Sequence, residues 1–410
     1  MAACDRAMAG LPREESSPGN EAVKQDPFRA VRASAWLMRG RILAARDTPE
    51  AVVEALRCFD QAILRMAAGA DGEKTELAMA WMNRGSALLK LGAPEAVKES
   101  VRSYDQAVGL LETAPAEFQN ALGAALMNKG AGLSHLGGDE ALSEALVSLE
   151  RAVATLEPLA AAQPEARRNL ASAWANRGQA LGLKDERVGA VAACRQAVEA
   201  FRPLVSDQAP ESRRELAALL LNLGQAAGAA AGVESALTAL RESLALVLPV
   251  ESANLHAAQL ALRVRHAMGV ILGGLLANDR VSSATRSARL EEAGDLVEDG
   301  LSLVRSLEGA RVPLASGGLS LFEFGAWFYR TQQPQFLAEF LLEHMEADSA
   351  RAEIAAMAVK QARQAVVQRG FSDGTSGLEQ TAAILAGLGE VEARLRAIAT
   401  AAAANQSASA

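Results

Sequence analysis

The chain has 410 residues, half of them apolar but only 4% aromatic, and a formal net charge of −8. The negative balance, with no dense Lys/Arg block interleaved with aromatics, argues against nucleic acid as a partner. No apolar run reaches the roughly 18–20 uninterrupted residues of a membrane helix, since the nearest approach, 264–278, is broken by Arg265 and His266.

In chain order, residues 1–29 mix Gly, Pro, Ser and charge without an apolar core, and a disordered lead-in is expected. From there six glycines recur, Gly40, Gly85, Gly130, Gly178, Gly224 and Gly269, at intervals of 45, 45, 48, 46 and 45. Such an even period over two-thirds of a chain marks a repeat architecture. Three of the glycines end similar words: Trp36-Leu37-Met38-Arg39-Gly40, Trp81-Met82-Asn83-Arg84-Gly85 and Trp174-Ala175-Asn176-Arg177-Gly178. Leu126 and Leu220 replace Trp in two more, and around Gly269 only the glycine survives.

A second ladder follows each glycine. Ala62, Ala107, Ala152, Ala197 and Ser243 stand three residues after Phe59, Tyr104, Leu149, Cys194 and Leu240. Four residues before those come Ala55, Ser100, Ala145, Ala190 and Ala236. Small–large–small at spacings of four and three is one stripe of an α-helix, with small residues where a neighbour approaches closely. Each repeat therefore reads as helix A (the glycine word), a turn and helix B. Pro49, Pro94, Pro164 and Pro210, each followed by Glu, mark helix starts. Sustained alternating β-branched runs are absent, so the fold class is all-α.

These words resemble the tetratricopeptide repeat: Trp, Asn, Gly and Leu on helix A, then Ala, Phe/Tyr and Ala on helix B. The glycine-to-alanine separation is 19 residues in repeats four and five, as in that family, and 22 in repeats one to three, where three extra residues are expected in the A–B turn. The period also exceeds the family's 34, so helices lengthened to roughly 18–20 residues are expected. The resemblance implies an α-α superhelix, a solenoid that binds protein rather than catalyses. The expected organisation is five repeats over 30–250, a degenerate sixth over 251–305, a helical C-terminal cap over 306–402 and a disordered tail over 403–410.

The resemblance also implies a binding surface. Asn83, Asn128, Asn176 and Asn222 stand two residues before a repeat glycine. In that family an Asn here can hydrogen-bond the backbone of an extended peptide, one carboxamide matching a C=O and an N–H. The other reading is an Asn bonded within or between repeats. Met82, Met127 and Leu221 precede the row, and Gln179 and Gln225 follow their glycines. This neutral, partly apolar surface lacks the Lys/Arg set that clamps a terminal carboxylate. Arg39, Arg84, Lys129 and Arg177 form a separate row that either pairs with acids on adjacent helices or meets an acidic partner.

Beyond residue 305 the period stops. Seven of the sixteen aromatics, Phe322, Phe324, Trp327, Phe328, Tyr329, Phe336 and Phe340, fall in one stretch, either a terminal cap or a homo-oligomer interface. Cys4, Cys58 and Cys194 are too widely spaced for a disulfide framework or zinc site, so reduced thiols and a cytoplasmic location are expected. Scattered His135, His256, His266 and His344, with no phosphate loop or nucleophile elbow, point to no catalytic residue, cofactor or metal. The expected function is a non-catalytic scaffold binding a protein or peptide segment along the concave helix-A surface. The alternative is an assembly or regulatory subunit that oligomerises through its aromatic stretch.

Overall fold

A computed structural model describes residues 23, 26–46, 48–69, 74–206, 209–230, 232–250, 254–277, 282–309, 317–332, 334–344, 349–369 and 374–409. The expected lead-in lies largely outside these. Among the described residues all regular structure is helical. The chain divides into two compact units, 1–206 and 207–410.

The first unit holds four antiparallel pairs: α1 (Arg29–Ala44) with α2 (Pro49–Ala67), α3 (Lys74–Leu91) with α4 (Pro94–Glu112), α5 (Gln119–Leu136) with α6 (Asp139–Ala160), and α7 (Pro164–Leu183) with α8 (Arg187–Phe201). Pro49, Pro94 and Pro164 each occupy the first helical position, where a missing N–H costs nothing. Thr48 Oγ1 caps α2 by accepting from the Ala51 N–H at 3.3 Å. The A–B turns share one device seven residues after the repeat glycine. In three of these turns Gly92 (φ 68°), Gly137 (φ 72°) and Asp185 (φ 61°) take a positive φ just past helix A. Asp is one of the few other residues that tolerates it.

Within each pair the glycine receives the bulky residue of helix B. A Cβ on Gly40 would lie 2.5 Å from the Phe59 ring, one on Gly85 2.7 Å from Tyr104, one on Gly130 2.5 Å from Leu149 and one on Gly178 2.5 Å from Cys194 Sγ. The flanking small ladder is buried throughout: Ala55, Ser100, Ala145, Ala62, Ala107 and Ala152 are all fully inaccessible. Removing those side chains' volume lets two backbones approach, and the large residue fills the space between them. The thiols of Cys58 and Cys194 are buried, and burial pushes both up to about 11. Desolvation disfavours the thiolate and so suppresses nucleophilicity.

The three extra residues of repeats one to three are not in the A–B turn. Every helix B in the described pairs begins nine residues after its glycine, at Pro49, Pro94, Asp139, Arg187 and Val233. The surplus lies in the first turn of helix B, which runs 19, 19 and 22 residues in α2, α4 and α6 but 15 in α8. Three residues are nearly one helical turn, so the insertion lengthens the helix without rotating its packing face.

The second unit opens with a fifth pair, α9 (Pro210–Ala229) and α10 (Val233–Val247), in which a Cβ on Gly224 would stand 2.5 Å from Leu240 Cγ. Ser243, the polar member of the small ladder, donates from Oγ to the Ala217 carbonyl on α9 at 2.7 Å. Then come α11 (Leu255–Leu276), α12 (Ser283–Gly309), α13 (Gly317–Gln332), α14 (Leu337–His344), α15 (Ser349–Arg369) and α16 (Gly374–Ser409). The sixth glycine breaks the scheme. The space beside Gly269 is filled by Phe324 of α13, 2.9 Å from a built Cβ, and Gly273 faces Phe324 and Trp327. The sixth helix A therefore takes its bulky partner from the aromatic stretch rather than from α12. An Arg241–Glu292–Arg289–Glu234 network, with contacts of 2.7–2.9 Å, ties α12 to α10. Burial pushes the Glu292 carboxyl up, but its two arginine partners outweigh that and hold it below its usual range.

Phe322, Phe328, Tyr329 and Phe340 are buried in the core of this unit, with Phe322 and Phe340 stacked at 5.5 Å and Tyr329 and Phe340 at 4.8 Å. The last helix extends to Ser409, past the expected boundary at 402. Its Ala-rich end is made of strong helix formers.

Gly130→Ala should lower stability by about 1–3 kcal/mol, because the new methyl meets the branch carbon of Leu149 rather than a flexible tip. Gly109→Ala, in an α4 site with nothing within 4 Å, should instead be neutral or stabilising by up to about 1 kcal/mol. Urea denaturation midpoints of the two variants check the contrast; equal shifts would contradict the close-approach account.

Candidate functional site

Two residues along an α-helix rotate the side chain by about 200°. The repeat glycine faces helix B, so the Asn two positions before it points to the opposite side of helix A. Asn83 on α3, Asn128 on α5 and Asn176 on α7 occupy this position in the first unit, and all three are half-buried. Asn222 on α9 repeats the placement in the second unit. Among the described residues none of the four carboxamides forms an intramolecular hydrogen bond. The carboxamide pair that does bond is a different one, Asn169 Nδ2 donating to Asn120 Oδ1 at 3.0 Å between α7 and α5.

The companions of the row separate by burial. Met82 and Met127 are half-buried and pack their inner sides against the first unit's core. Gln179 and Gln225 are exposed. Leu221 does not belong to a binding surface: it is fully inaccessible in the second unit's core, because α11 covers that side of α9. In the first unit Ala175 holds the same position at 8% exposure.

Gln225 has a neighbour that the sequence did not disclose. It borders a cavity of about 530 Å³, walled by Gly228 and Ala229 of α9 and by His266, Val270 and Gly274 of α11. Val270 is 61% exposed, and a Cβ on Gly274 would meet nothing within 4 Å. The missing side chains at Gly228 and Gly274 open this apolar hollow one turn beyond Asn222.

The basic row resolves into internal pairing. Arg39 meets Glu54 at 2.8 Å, and Arg84 meets Asp60 and the Ser103 hydroxyl at 2.8 Å each. Lys129 bridges Asp105 and Glu144, both at 2.8 Å. Each bridge ties helix A to its own helix B, to the preceding one, or to both. The guanidinium groups of Arg39, Arg84 and Arg177 also lie 5.8, 5.6 and 5.2 Å from the ring centroids of Trp36, Trp81 and Trp174. The acidic partners keep the period themselves, as Glu54, Glu99 and Glu144 and as Asp60 and Asp105, each 45 apart.

Among the described residues no group of His, Cys, Asp and Glu is placed to hold a metal ion, and no helix is long and apolar enough to cross a membrane. His135 is exposed on the last turn of α5.

Lys129→Met should destabilise the protein by about 0.5–1 kcal/mol at neutral pH. Burial pushes the Lys129 ammonium down, but Asp105 and Glu144 more than offset it, and the net shift is upward. Its contribution is therefore complete below the ordinary lysine range and is lost as pH rises through the higher folded value. Parent and variant melting temperatures should converge above that range; a gap that stays constant to high pH would exclude the bridge as its source. For the thiols, alkylation of Cys58 and Cys194 by iodoacetamide at pH 8 should be slow and should track unfolding. Fast labelling of Cys58 or Cys194 in the native protein, distinguished from Cys4 by peptide mapping, would contradict their burial.

No protein-family model and no curated protein matches the chain. Among solved structures it is similar to a signal-transduction ATPase with a tetratricopeptide repeat sensor from Pyrococcus horikoshii, at 14% identity over 93% of this chain and 55% of that one, TM-score 0.45. This chain thus spans about half the length of that protein. It is also similar to a Rap protein complexed with competence and sporulation factor, at 13% identity over 93% of this chain and all of that one, TM-score 0.43. A third similarity is to the S. pombe nuclear import adaptor Nro1, at 14% identity over 77% and 99% of the two chains, TM-score 0.34. By its own glycine register, helix pairing and positive-φ turns, the chain is an all-α repeat protein built of tetratricopeptide-like helix pairs.

Proposed function

We propose that this protein is a non-catalytic scaffold that binds an extended polypeptide segment along the faces of its A helices turned away from helix B. The observation that carries the reading is the row of Asn83, Asn128 and Asn176. These are three half-buried carboxamides, one per repeat, turned away from helix B and free of intramolecular hydrogen bonds among the described residues. A carboxamide held at a helix surface offers one acceptor and two donors, which a peptide unit complements without its side chain being read. Met82 and Met127 beside the row supply adaptable apolar contact. Gln179 adds a second carboxamide one residue past its glycine, and in the second unit Asn222 and Gln225 repeat the chemistry beside an apolar hollow. The paired basic row leaves this surface without a matching positive field, so recognition would rest on backbone hydrogen bonding and apolar contact.

The test is selection of random linear peptides on the full chain, followed by affinity measurement on the parent and on the Asn83→Ala/Asn128→Ala/Asn176→Ala variant. With about 0.5–1.5 kcal/mol per hydrogen bond and one bond lost per asparagine, the variant should lose about ten- to two-thousandfold in affinity at an unchanged melting temperature. Selected peptides that bind both proteins equally would refute the row as the binding element.

A further inference from the structure

The second unit contains a cavity that the scaffold reading does not use. It has a volume of about 330 Å³ and lies between α12, α13 and α14. Its walls carry three carboxylates, Glu298, Glu339 and Glu343, the guanidinium of Arg305, and three aromatic rings, Tyr329, Phe336 and Phe340. One carboxylate is neutralised locally: Arg305 Nη1 donates to Glu343 Oε1 at 2.7 Å, which holds the Glu343 carboxyl below its usual range. Glu298 accepts a hydrogen bond from the Tyr329 hydroxyl at 3.2 Å, a neutral donor that leaves its charge intact. Glu339 has no ion-pair partner among the described residues. His344 also lines the cavity, its Nε2 at 3.8 Å from Glu343.

We propose that this cavity is a binding site for an organic cation bearing an alkyl- or quaternary-ammonium group. Two observations beyond the charge select that chemistry. Aromatic rings wall the cavity, and Phe336, 47% exposed at the rim, is the ring open to a cation. The donor geometry turns away a metal, since among the described residues no three His, Cys, Asp or Glu side chains converge closely enough to ligate one. The volume also falls at the lower end of small-ligand sites and exceeds what a bare ion fills. The field is visible at the phenol: burial, then Glu298, Glu343 and Glu339, push Tyr329 up to about 12. A cation in the cavity would sit between Glu298 on α12 and Glu339 on α14, against the ring of Phe336.

The source of such a group is a free amine or a lysine side chain of a protein, and both are probed. Isothermal titration of the full chain would use tetramethylammonium, n-pentylammonium, the tripeptide Gly-Lys-Gly and, as the uncharged isostere, neopentanol. At least one cation should bind while neopentanol does not. Glu298→Gln/Glu339→Gln should weaken that cation about tenfold and Phe336→Ala about fivefold. All three side chains are exposed or at the rim, so melting temperatures should stay at the parent value. Binding of the free amines assigns a small-molecule ligand, and binding of the tripeptide alone assigns a lysine side chain; either supports the site. Absence of binding by every cation, equal binding of neopentanol, or affinity unchanged in the carboxamide variant would overturn it.

Discussion

The close approach of helix A to helix B at each repeat glycine is the contact on which the rest of the structure depends. Where the glycine has no side chain, a ring, an isobutyl group or a thiol from helix B occupies the volume, with fully buried small residues one turn to either side. That arrangement fixes the separation of the two axes and their rotation. The rotation then dictates which residues of helix A face away from helix B, and so places Asn83, Asn128 and Asn176 on one accessible row. It also sets the residues flanking the glycine beside the preceding helix B, where Arg84 and Lys129 bridge to acids. Packing, electrostatics and candidate surface are consequences of one steric register.

The register tolerates change where a helix can absorb it. Three residues more or fewer in helix B alter its length but hardly its facing, so the first three pairs and the next two share a turn and a glycine contact. It does not tolerate loss of the bulky partner. At Gly269 the chain supplies that partner from α13, and Phe324 takes the place that a helix-B residue holds elsewhere. The aromatic stretch thereby closes the repeat series: it fills the cleft beside the last repeat glycine and buries Phe322, Phe328 and Phe340 in the same core. Repeat units cannot bury their own end faces, and a dense aromatic group covers such a face with few residues.

Charge is organised on the same period but to a different end. Of the basic residues before the glycines, Arg39, Arg84 and Lys129 are satisfied by acids that recur every 45 residues, while Arg177 lies over the Trp174 ring. What remains uncompensated gathers elsewhere, notably beside the aromatic rings of α13 and α14. There two carboxylates face a cavity with no basic partner of their own among the described residues.

The sequence by itself determined the helix pairs, their starts at proline, the glycine contacts and the small ladder, because each depends on local propensity and on short-range periodicity within a repeating unit. It also placed the asparagines on one side of helix A, since helical rotation follows from spacing alone. Only the tertiary structure decided that Leu221 is core, that the extra residues lengthen helix B rather than the turn, and that Gly269 takes Phe324. It alone brought Gly228 and Gly274 together to open a hollow beside Gln225, and Glu298, Phe336 and Glu339 around one cavity. The physical reason is range: burial and cavity formation depend on which helix covers a given face, and that covering comes from residues dozens of positions away that no local period encodes.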